Sequence, residues 1–330
     1  TQAMLASARG LAAIIRSSAA LHRQLLADEQ IECEYQQRGC LFVYQTQVGM
    51  DHYAETDRLL REQFDLPATR YDADELVAFE PSIRPGTAAG GWHYEQDEHL
   101  HPEKLLSNWR RVIESLGVTI CEQCEMKSFI SASARSGVRR GGAAAAVQTS
   151  RGEMPADAFV VATGARTPQL SQQLGCRVPI QPGKGYTLTM PRPTQCPGTP
   201  IIFQEQKVVV TPLQSAYRLG STMEFSGYDR SLNPRRLRLL TDGVQPFLQE
   251  PVPLATGDPT SGDAWYGWRP MTVDGLPIID RVPAMSNVFL ATGHNMLGLT
   301  LATATGTLVM ELVTERPPHL PLQPYSVTRS

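Results

Sequence analysis

Gly293-His294-Asn295-Met296-Leu297-Gly298 is the stretch that decides the fold of this chain. An aliphatic segment, residues 287–291, comes just before it, and an apolar run of small residues, 299–313, follows it. This order predicts a strand, a turn bounded by glycines and a helix, an arrangement that points free backbone N–H groups at an electron-rich ligand. Because the same pattern is also a common way to pack a strand against a helix, the residues alone leave both interpretations open.

An arginine in an apolar segment is the strongest candidate for binding an anion. Arg269 follows Trp265-Tyr266-Gly267-Trp268 and precedes a proline. In such a setting an unpaired guanidinium would be costly unless an anion meets it. The alternative is a structural salt bridge to Asp274 or Asp280.

A third segment, residues 157–165, is predicted to form a buried strand that runs into a glycine turn at Thr163-Gly164. Together with the two stretches above, it resembles the D-amino acid oxidase and glycine oxidase superfamily of FAD-dependent enzymes, and most closely the bacterial D-amino acid dehydrogenase branch. Lys184-Gly185-Tyr186-Thr187-Leu188 and Pro324-Tyr325-Ser326-Val327 carry the same resemblance, which covers nearly the whole chain.

The resemblance implies an α+β fold like that of glycine oxidase. In it, a Rossmann-like FAD-binding domain is interleaved in sequence with a substrate domain built on an antiparallel sheet. We expect residues 1–36, 101–178 and 269–330 to belong to the FAD domain. Residues 37–100 and 179–268 are expected to form the substrate domain.

The resemblance also assigns site residues. Arg269 is expected to form a bidentate pair with the substrate carboxylate. Tyr228 and Tyr266 are candidates for an aromatic wall beside the substrate side chain, or alternatively for core tyrosines. The glycine turn is expected to lie under the pyrimidine ring of the flavin, where the helix end stabilises negative charge on the reduced cofactor. The candidate cofactor contacts are Met126, Thr163, Gly164, Lys184, Gly293, His294, Met296, Leu297, Gly298 and Thr300.

Three of these candidates have an alternative role or depart from the family pattern. Lys184 lies between two glycines and could equally be a solvated turn residue. Oxidation of an amino acid by a flavin needs only a neutral amine and an aligned Cα–H, so the resemblance implies that His294 shapes the turn. Met296 stands where glycine oxidases often carry a second arginine, so their substrate contacts do not transfer as a whole.

The activity that the resemblance implies is that of a flavin-dependent D-amino acid dehydrogenase. Hydride passes from the substrate Cα to flavin N5, and the imino acid hydrolyses to a 2-oxo acid and ammonia. Electrons then pass to a quinone or another acceptor, and peripheral membrane association and a homo-oligomer both fit this class. The alternative among enzymes is an oxidase or dehydrogenase of glycine, sarcosine or D-hydroxyproline. The alternative outside the enzymes is a non-catalytic remnant that serves as a binding module.

One part of the family pattern is absent from the sequence. The chain contains no GxGxxG, the turn that seats the FAD pyrophosphate on a helix N-terminus. Members of the resembled family carry this turn at their extreme N-terminus. We therefore expect the sequence to be an N-terminally truncated piece that binds FAD poorly by itself, and a partner chain that supplies the missing half-site is the alternative.

Composition excludes several other classes of protein. A net charge of −3 gives no electrostatic footprint for nucleic acid. The sequence contains no run of about 18 apolar residues, so it predicts no membrane-spanning helix. The six cysteines show neither a disulfide framework nor zinc spacing, which favours reduced thiols in the cytoplasm. The resemblance to D-amino acid dehydrogenases adds the cytoplasmic face of the inner membrane as an alternative location. Residues 118–126, which include a CxxC, are predicted as a strand, and residues 135–142 as a basic hairpin.

Overall fold

The computed structural model of the chain describes residues 2–131, 142–250, 252 and 263–329. Of the predicted basic hairpin, only Gly142 lies within the described residues. 3₁₀ helices cover Gly164–Leu170 and Gln323–Tyr325. The α-helices of this part of the chain are α1 (Gln2–Asp28), α2 (Gln47–Phe64), α3 (Ala73–Phe79), α4 (Pro102–Ser115), α5 (Ser171–Leu174), α6 (Pro234–Val244) and α7 (Ala302–Val313).

The described strands are β1 (Cys40–Tyr44), β2 (Thr69–Asp72), β3 (Gly90–Tyr94), β4 (Met126–Ser131), β5 (Ala144–Thr149), β6 (Gly152–Pro155), β7 (Phe159–Val161), β8 (Gln181–Met190), β9 (Ile201–Phe203), β10 (Val208–Pro212), β11 (Tyr217–Glu224), β12 (Asp263–Met271), β13 (Ile278–Arg281) and β14 (Val288–Thr292). They form an eight-stranded sheet of order β12-β8-β11-β10-β9-β1-β3-β2 and two three-stranded sheets, β13-β14-β7 and β4-β5-β6. Among the described helices, none is long and apolar enough to cross a membrane.

The chain divides into two compact units, each assembled from separate segments. The first comprises Thr1–Ile31, Arg110–Gly183 and Trp268–Ser330, and the second comprises Glu32–Trp109 and Lys184–Gly267. The assignment of one unit to the cofactor and the other to the substrate stays a prediction.

In the first unit, helix α1 packs against helix α7. The buried residues of α1 recur every four positions from Gly10 to Leu26, which places them on one face of the helix. Gly10 packs closely against the C-terminal segment, since an added Cβ would lie 3.1 Å from the Cβ of Pro324. The hydroxyl of Tyr325 donates a hydrogen bond to the carbonyl of Gly10 (2.8 Å) and so ties the C-terminal segment to α1.

Two predicted strands of this unit differ from the structure. The strand predicted over residues 157–165 is shorter, since β7 covers Phe159–Val161, and it is not fully buried. It pairs in parallel with β14 at the edge of the described sheet, where Val160 is 46% exposed. The strand predicted over residues 118–126 is wrong except at Met126, where β4 begins. Residues 118–125 form an exposed irregular segment in which Gln123 has φ +51°.

The second unit has its core between the eight-stranded sheet and helix α6. Alternate residues of β10 are buried, as expected for a strand with one covered face. Leu237, Leu240 and Val244 of α6 lie in the same apolar cluster as Val208 and Val210. An added Cβ at Gly243 of α6 would lie 2.8 Å from Val208 Cγ2, so helix and sheet pack closely here.

Candidate functional site

The turn after β14 depends on two residues with left-handed backbone conformations. Gly293 has φ +75° and Asn295 has φ +53°. An added Cβ at Gly293 would lie 2.8 Å from Thr272 Cγ2, so both the backbone conformation and the available space require glycine there.

The helix predicted to begin directly after Gly298 begins four residues later, at Ala302. Leu301 donates its N–H to the carbonyl of Leu297 (2.8 Å), and Ala302 donates to that of Leu299 (3.2 Å), so irregular turns precede the helix. The residue that precedes the helix, Leu301, makes no side-chain capping hydrogen bond. The delayed start follows from the glycine and threonine content of residues 298–300, since these residues are poorer helix formers than alanine or leucine.

These irregular turns leave a row of backbone donors. Among the described residues, the N–H groups of Gly298, Leu299 and Thr300 have no hydrogen-bond acceptor. The space in front of the first is open, since an added Cβ at Gly298 would meet only His294 Cβ, at 3.8 Å. Three neighbouring donors at an uncapped helix start can hydrogen-bond the electron-rich edge of a ligand.

Asn295 joins this turn to the segment that follows Arg269. Its N–H donates to the carbonyl of Pro270 (3.1 Å), and its side-chain Oδ1 accepts from the N–H of Thr272 (2.9 Å). Its Nδ2 donates to the carbonyls of Gly275 (2.9 Å) and Gly293 (3.1 Å). Asn295 is not among the residues predicted from the sequence, although an asparagine between two glycines of a turn is a typical left-handed residue.

Arg269 lies on β12, partly buried, and burial lowers the pKa of its guanidinium. The two carboxylates that the sequence offers as structural partners are engaged elsewhere. Asp274 pairs with Arg329 (2.7 Å), and Asp280 accepts from the Ser326 hydroxyl (2.7 Å) and the Val327 N–H (2.9 Å).

Thr163 and Gly164 lie next to the turn through a chain of hydroxyl groups. Thr167 is within 3.0 Å of the Thr163 hydroxyl and 2.9 Å of the Thr292 hydroxyl, and it donates to the Gly164 carbonyl (2.8 Å). Gly164 has φ +53°, and nothing lies within 4 Å of a Cβ added there. The ends of β7 and β14 therefore lie side by side, and the backbone at Gly164 is open beside Gly293.

His294 faces the protein interior. It is 8% exposed, and its Nε2 lies 2.9 Å from the Thr305 hydroxyl of α7. Burial lowers the pKa of the imidazole to about 4, so the side chain is neutral at neutral pH. This geometry fits a residue that shapes the turn.

The other predicted contacts in the first unit differ in their surroundings. Met296 is 65% exposed at the tip of the turn, and Leu297 packs into the apolar cluster between α1 and α7. Met126 begins β4 and pairs with Thr149, and no hydrogen bond in the described part of the chain joins it to the turn.

In the second unit, Lys184 is completely buried, so the alternative of a solvated turn residue is wrong. Its Nζ pairs with Asp229 (2.6 Å) and donates to the carbonyl of Ser231. The ammonium lies 4.7 Å from the ring centre of Tyr266 and 5.3 Å from that of Tyr186. The structure thus brings two predicted residues, Lys184 and Tyr266, together.

The charges around Lys184 keep it protonated. Burial alone would lower the pKa of Lys184, but hydrogen bonds with Asp229 and Tyr186 outweigh it and raise that pKa. The same ion pair is the main cause that lowers the pKa of Asp229 to about 2. Tyr228, the residue before this aspartate, is 37% exposed and so is not a core tyrosine.

Similarity to known proteins extends over nearly the whole chain. The model of the DAO family, FAD dependent oxidoreductase, matches residues 2–312. The chain is 32% identical over 307 residues to a D-amino acid dehydrogenase of Methylobacterium radiotolerans, an alignment that covers 90% of this chain and 69% of that protein. A D-amino acid dehydrogenase of Granulibacter bethesdensis is 30% identical, with 96% and 73% covered. The chain therefore belongs to the DAO family of FAD-dependent oxidoreductases.

Solved structures confirm the predicted fold. Glycine oxidase from Geobacillus kaustophilus superposes with a TM-score of 0.84 at 22% identity, covering 97% of this chain and 84% of that one. L-proline dehydrogenase from P. horikoshii superposes with a TM-score of 0.78 at 18% identity, covering 95% and 81%. At these identities the likeness establishes the fold alone.

FAD is the cofactor of this family, and the described residues fit its ring end. The free N–H groups of residues 298–300 match the electron-rich edge of a flavin ring, and the glycines at positions 164 and 298 leave open space for a ligand. For the pyrophosphate the sequence has no GxGxxG turn.

Proposed function

We propose that this chain carries the amino acid oxidation site of a D-amino acid dehydrogenase. The observation that carries the proposal is the position of Arg269, partly buried on a segment that Asn295 holds to the glycine turn. Two relatives at 32% and 30% identity bear the name D-amino acid dehydrogenase. When bound, FAD supplies the acceptor for the hydride that leaves the substrate Cα.

In this proposal each residue of the first unit has a distinct task. Arg269 binds the substrate carboxylate through a bidentate, charge-assisted pair and so orients the Cα–H. The N–H groups of Gly298, Leu299 and Thr300 stabilise the negative charge that the cofactor gains. Burial lowers the pKa of His294 to about 4, which makes it a weak base, and its Nε2 lies against the Thr305 hydroxyl, so it is not assigned as the base and the substrate amine enters the site neutral.

Tyr228 and Tyr266 are assigned to contacts with the substrate side chain, and Lys184 supports both, because it lies against the ring of Tyr266 and pairs with Asp229. We assign the electrons to a quinone or another non-oxygen acceptor on the strength of the dehydrogenase relatives.

Substitution of Arg269 in the FAD-loaded full-length protein tests the assignment. Arg269→Ala removes a charge-assisted pair, so we expect KM for D-amino acids to rise about 10-fold to 100-fold. Arg269→Lys keeps the charge but loses the bidentate geometry, and we expect an intermediate value. Steady-state kinetics with D-alanine and a dye acceptor measure both.

Arg281→Ala is the matched control, because this arginine lies in β13, the next strand along the chain, with its guanidinium over Phe289, 5.2 Å from the ring centre. We expect its KM to stay within about twofold of the wild type. An Arg269→Ala protein with wild-type KM and an intact flavin spectrum would refute the carboxylate role. Release of hydrogen peroxide in proportion to turnover would refute the dehydrogenase assignment in favour of an oxidase.

A further inference from the structure

Helix α1 makes a polar contact with the turn before α7. His22, on the buried face of α1 and 9% exposed, has its Nε2 2.9 Å from the carbonyl oxygen of Leu299. Because a carbonyl only accepts, Nε2 must carry the hydrogen. The other ring nitrogen, Nδ1, is then without a proton in the neutral ring, and it has no partner in the described part of the chain.

The Leu299 carbonyl accepts from His22 and also from the N–H of Ala302 (3.2 Å), and these two bonds together set where a neighbouring donor points. The carbonyl of Leu299 and the N–H of Thr300 belong to one planar trans peptide unit, in which they point in opposite directions. A hydrogen bond that holds the carbonyl toward α1 therefore directs the N–H of Thr300 away from α1. That N–H is one of the three free donors, and Thr300 is exposed.

We propose that His22 is a positioning residue for the flavin: it fixes the orientation of the Leu299–Thr300 peptide and so raises the electron affinity of the ring that the N–H row binds. This inference rests on the proposed seat of the flavin at residues 298–300. It adds a residue from the N-terminal helix, 277 positions away in sequence, to the site.

A neighbouring contact between the same two helices provides a control. Ser18, one turn before His22, has its hydroxyl 2.8 Å from the Thr303 hydroxyl, and Thr303 donates to the Ser18 carbonyl (3.0 Å). These bonds join α1 to α7 without touching the Leu299–Thr300 peptide. Loss of the Ser18 hydroxyl therefore weakens helix packing and leaves the direction of the Thr300 N–H unchanged.

The test compares His22→Asn with His22→Gln in the FAD-loaded full-length protein. The amide nitrogen of glutamine occupies roughly the position of Nε2 and can still donate to Leu299, whereas that of asparagine falls one bond short. We expect His22→Asn to bind FAD about threefold to tenfold more weakly, the loss of about one hydrogen bond, and to shift the flavin midpoint potential to a more negative value. His22→Gln should keep both properties, and Ser18→Ala should lower the Tm without a shift in potential.

Two results would overturn the inference. One is a midpoint potential of His22→Asn equal to that of the wild type; the other is an equal shift in His22→Asn, His22→Gln and Ser18→Ala, which would show a packing effect alone. Gly298→Val separates this inference from the proposed seat. If FAD binding tolerates that substitution, the seat is wrong; if Gly298→Val abolishes binding and His22→Asn leaves the potential unchanged, only the role of His22 is wrong.

Discussion

Gly293 and Gly298 bound the same turn, but the structure requires glycine at these positions for different reasons. At Gly293 the backbone has φ +75° and a Cβ would lie 2.8 Å from Thr272. At Gly298 the backbone is not left-handed, and a Cβ would make one ordinary contact at 3.8 Å. The first glycine is therefore needed by the fold, and the second leaves space at a free N–H group.

This difference predicts opposite effects for two alanine substitutions. Gly293→Ala is expected to lower the free energy of unfolding by about 1 to 3 kcal/mol, from backbone strain and the close contact with Thr272. Gly298→Ala is expected to leave the stability of the FAD-free protein unchanged or slightly higher, since it restricts the unfolded chain. Because the added methyl group occupies the cofactor side, the same variant should bind FAD more weakly.

Urea unfolding of the FAD-free protein and fluorescence titration with FAD separate the two effects. Gly306→Ala, in an open position of α7, serves as the reference for a glycine without a ligand or a left-handed conformation. The distinction fails if Gly293→Ala and Gly298→Ala lower stability equally.

At the scale of elements, Asn295 is the side chain that holds the turn to the strand carrying Arg269. Its amide accepts from Thr272 and donates to Gly275 and Gly293, while its own N–H donates to Pro270. The hydrogen bonds of this one residue join the two elements at this point. Loss of the amide should therefore loosen the position of Arg269 relative to the turn.

Asn295→Gly and Asn295→Ala separate the contributions of the amide and the backbone. Both lose the side-chain hydrogen bonds, but glycine still adopts φ +53° without strain. We expect about 1 to 3 kcal/mol of destabilisation for glycine, and about 1 kcal/mol more for alanine. Urea unfolding measures both free energies.

Kinetics of the same variants with D-alanine report on Arg269, and KM is expected to rise in both. An unchanged KM in the glycine variant would mean that Asn295 holds the fold but not the arginine.

The local patterns of the sequence predicted the strand and the helix on either side of the turn, because β14 and α7 have apolar residues at their own characteristic spacing. They could not predict Asn295 or His22 as parts of the site, since the hydrogen-bond partners lie 20 to 23 and 277 positions away. The strand predicted at residues 118–126 was wrong because a local pattern does not show whether another part of the chain covers the apolar residues. Val118 and Ile120 alternate like strand residues but are 49% and 37% exposed.

The burial of Lys184 was equally beyond a local pattern. Between two glycines it resembles a turn residue, and its environment is supplied by Asp229, 45 positions later. Burial of a lysine requires such a partner, because an unpaired ammonium in the interior is strongly disfavoured.

At the scale of the whole molecule, each compact unit is held together by contacts between distant segments. In the first unit Arg329 pairs with Asp274, 55 positions away. In the second unit the carboxylate of Glu34 accepts hydrogen bonds from Lys104, from the N–H of Gln214 (2.7 Å) and from the hydroxyl of Ser215 (2.6 Å). Such contacts offset the entropy of closing long loops.

Glu34 makes the stability of the second unit depend on pH in the acidic range. Burial alone would raise the pKa of this carboxyl, but the hydrogen bonds from Lys104, Ser215 and Gln214 outweigh it and lower the pKa from 4.5 to about 2. Because the unfolded chain binds the proton first, the stabilisation is fully present above about pH 5. It is lost as the pH falls from about 4.5 to about 2.

Glu34→Gln is therefore expected to lower the free energy of unfolding at pH 7 by about 2 to 3 kcal/mol and to flatten its dependence on pH below 5. Urea unfolding followed by circular dichroism between pH 3 and pH 7 measures both quantities. Glu62→Gln is the control, since Glu62 lies on the exposed face of α2 and makes no hydrogen bond in the described part of the chain. If the free energy of unfolding of Glu34→Gln fell with pH in parallel with that of the wild type, Glu34 would not be the group that causes the loss of stability in acid.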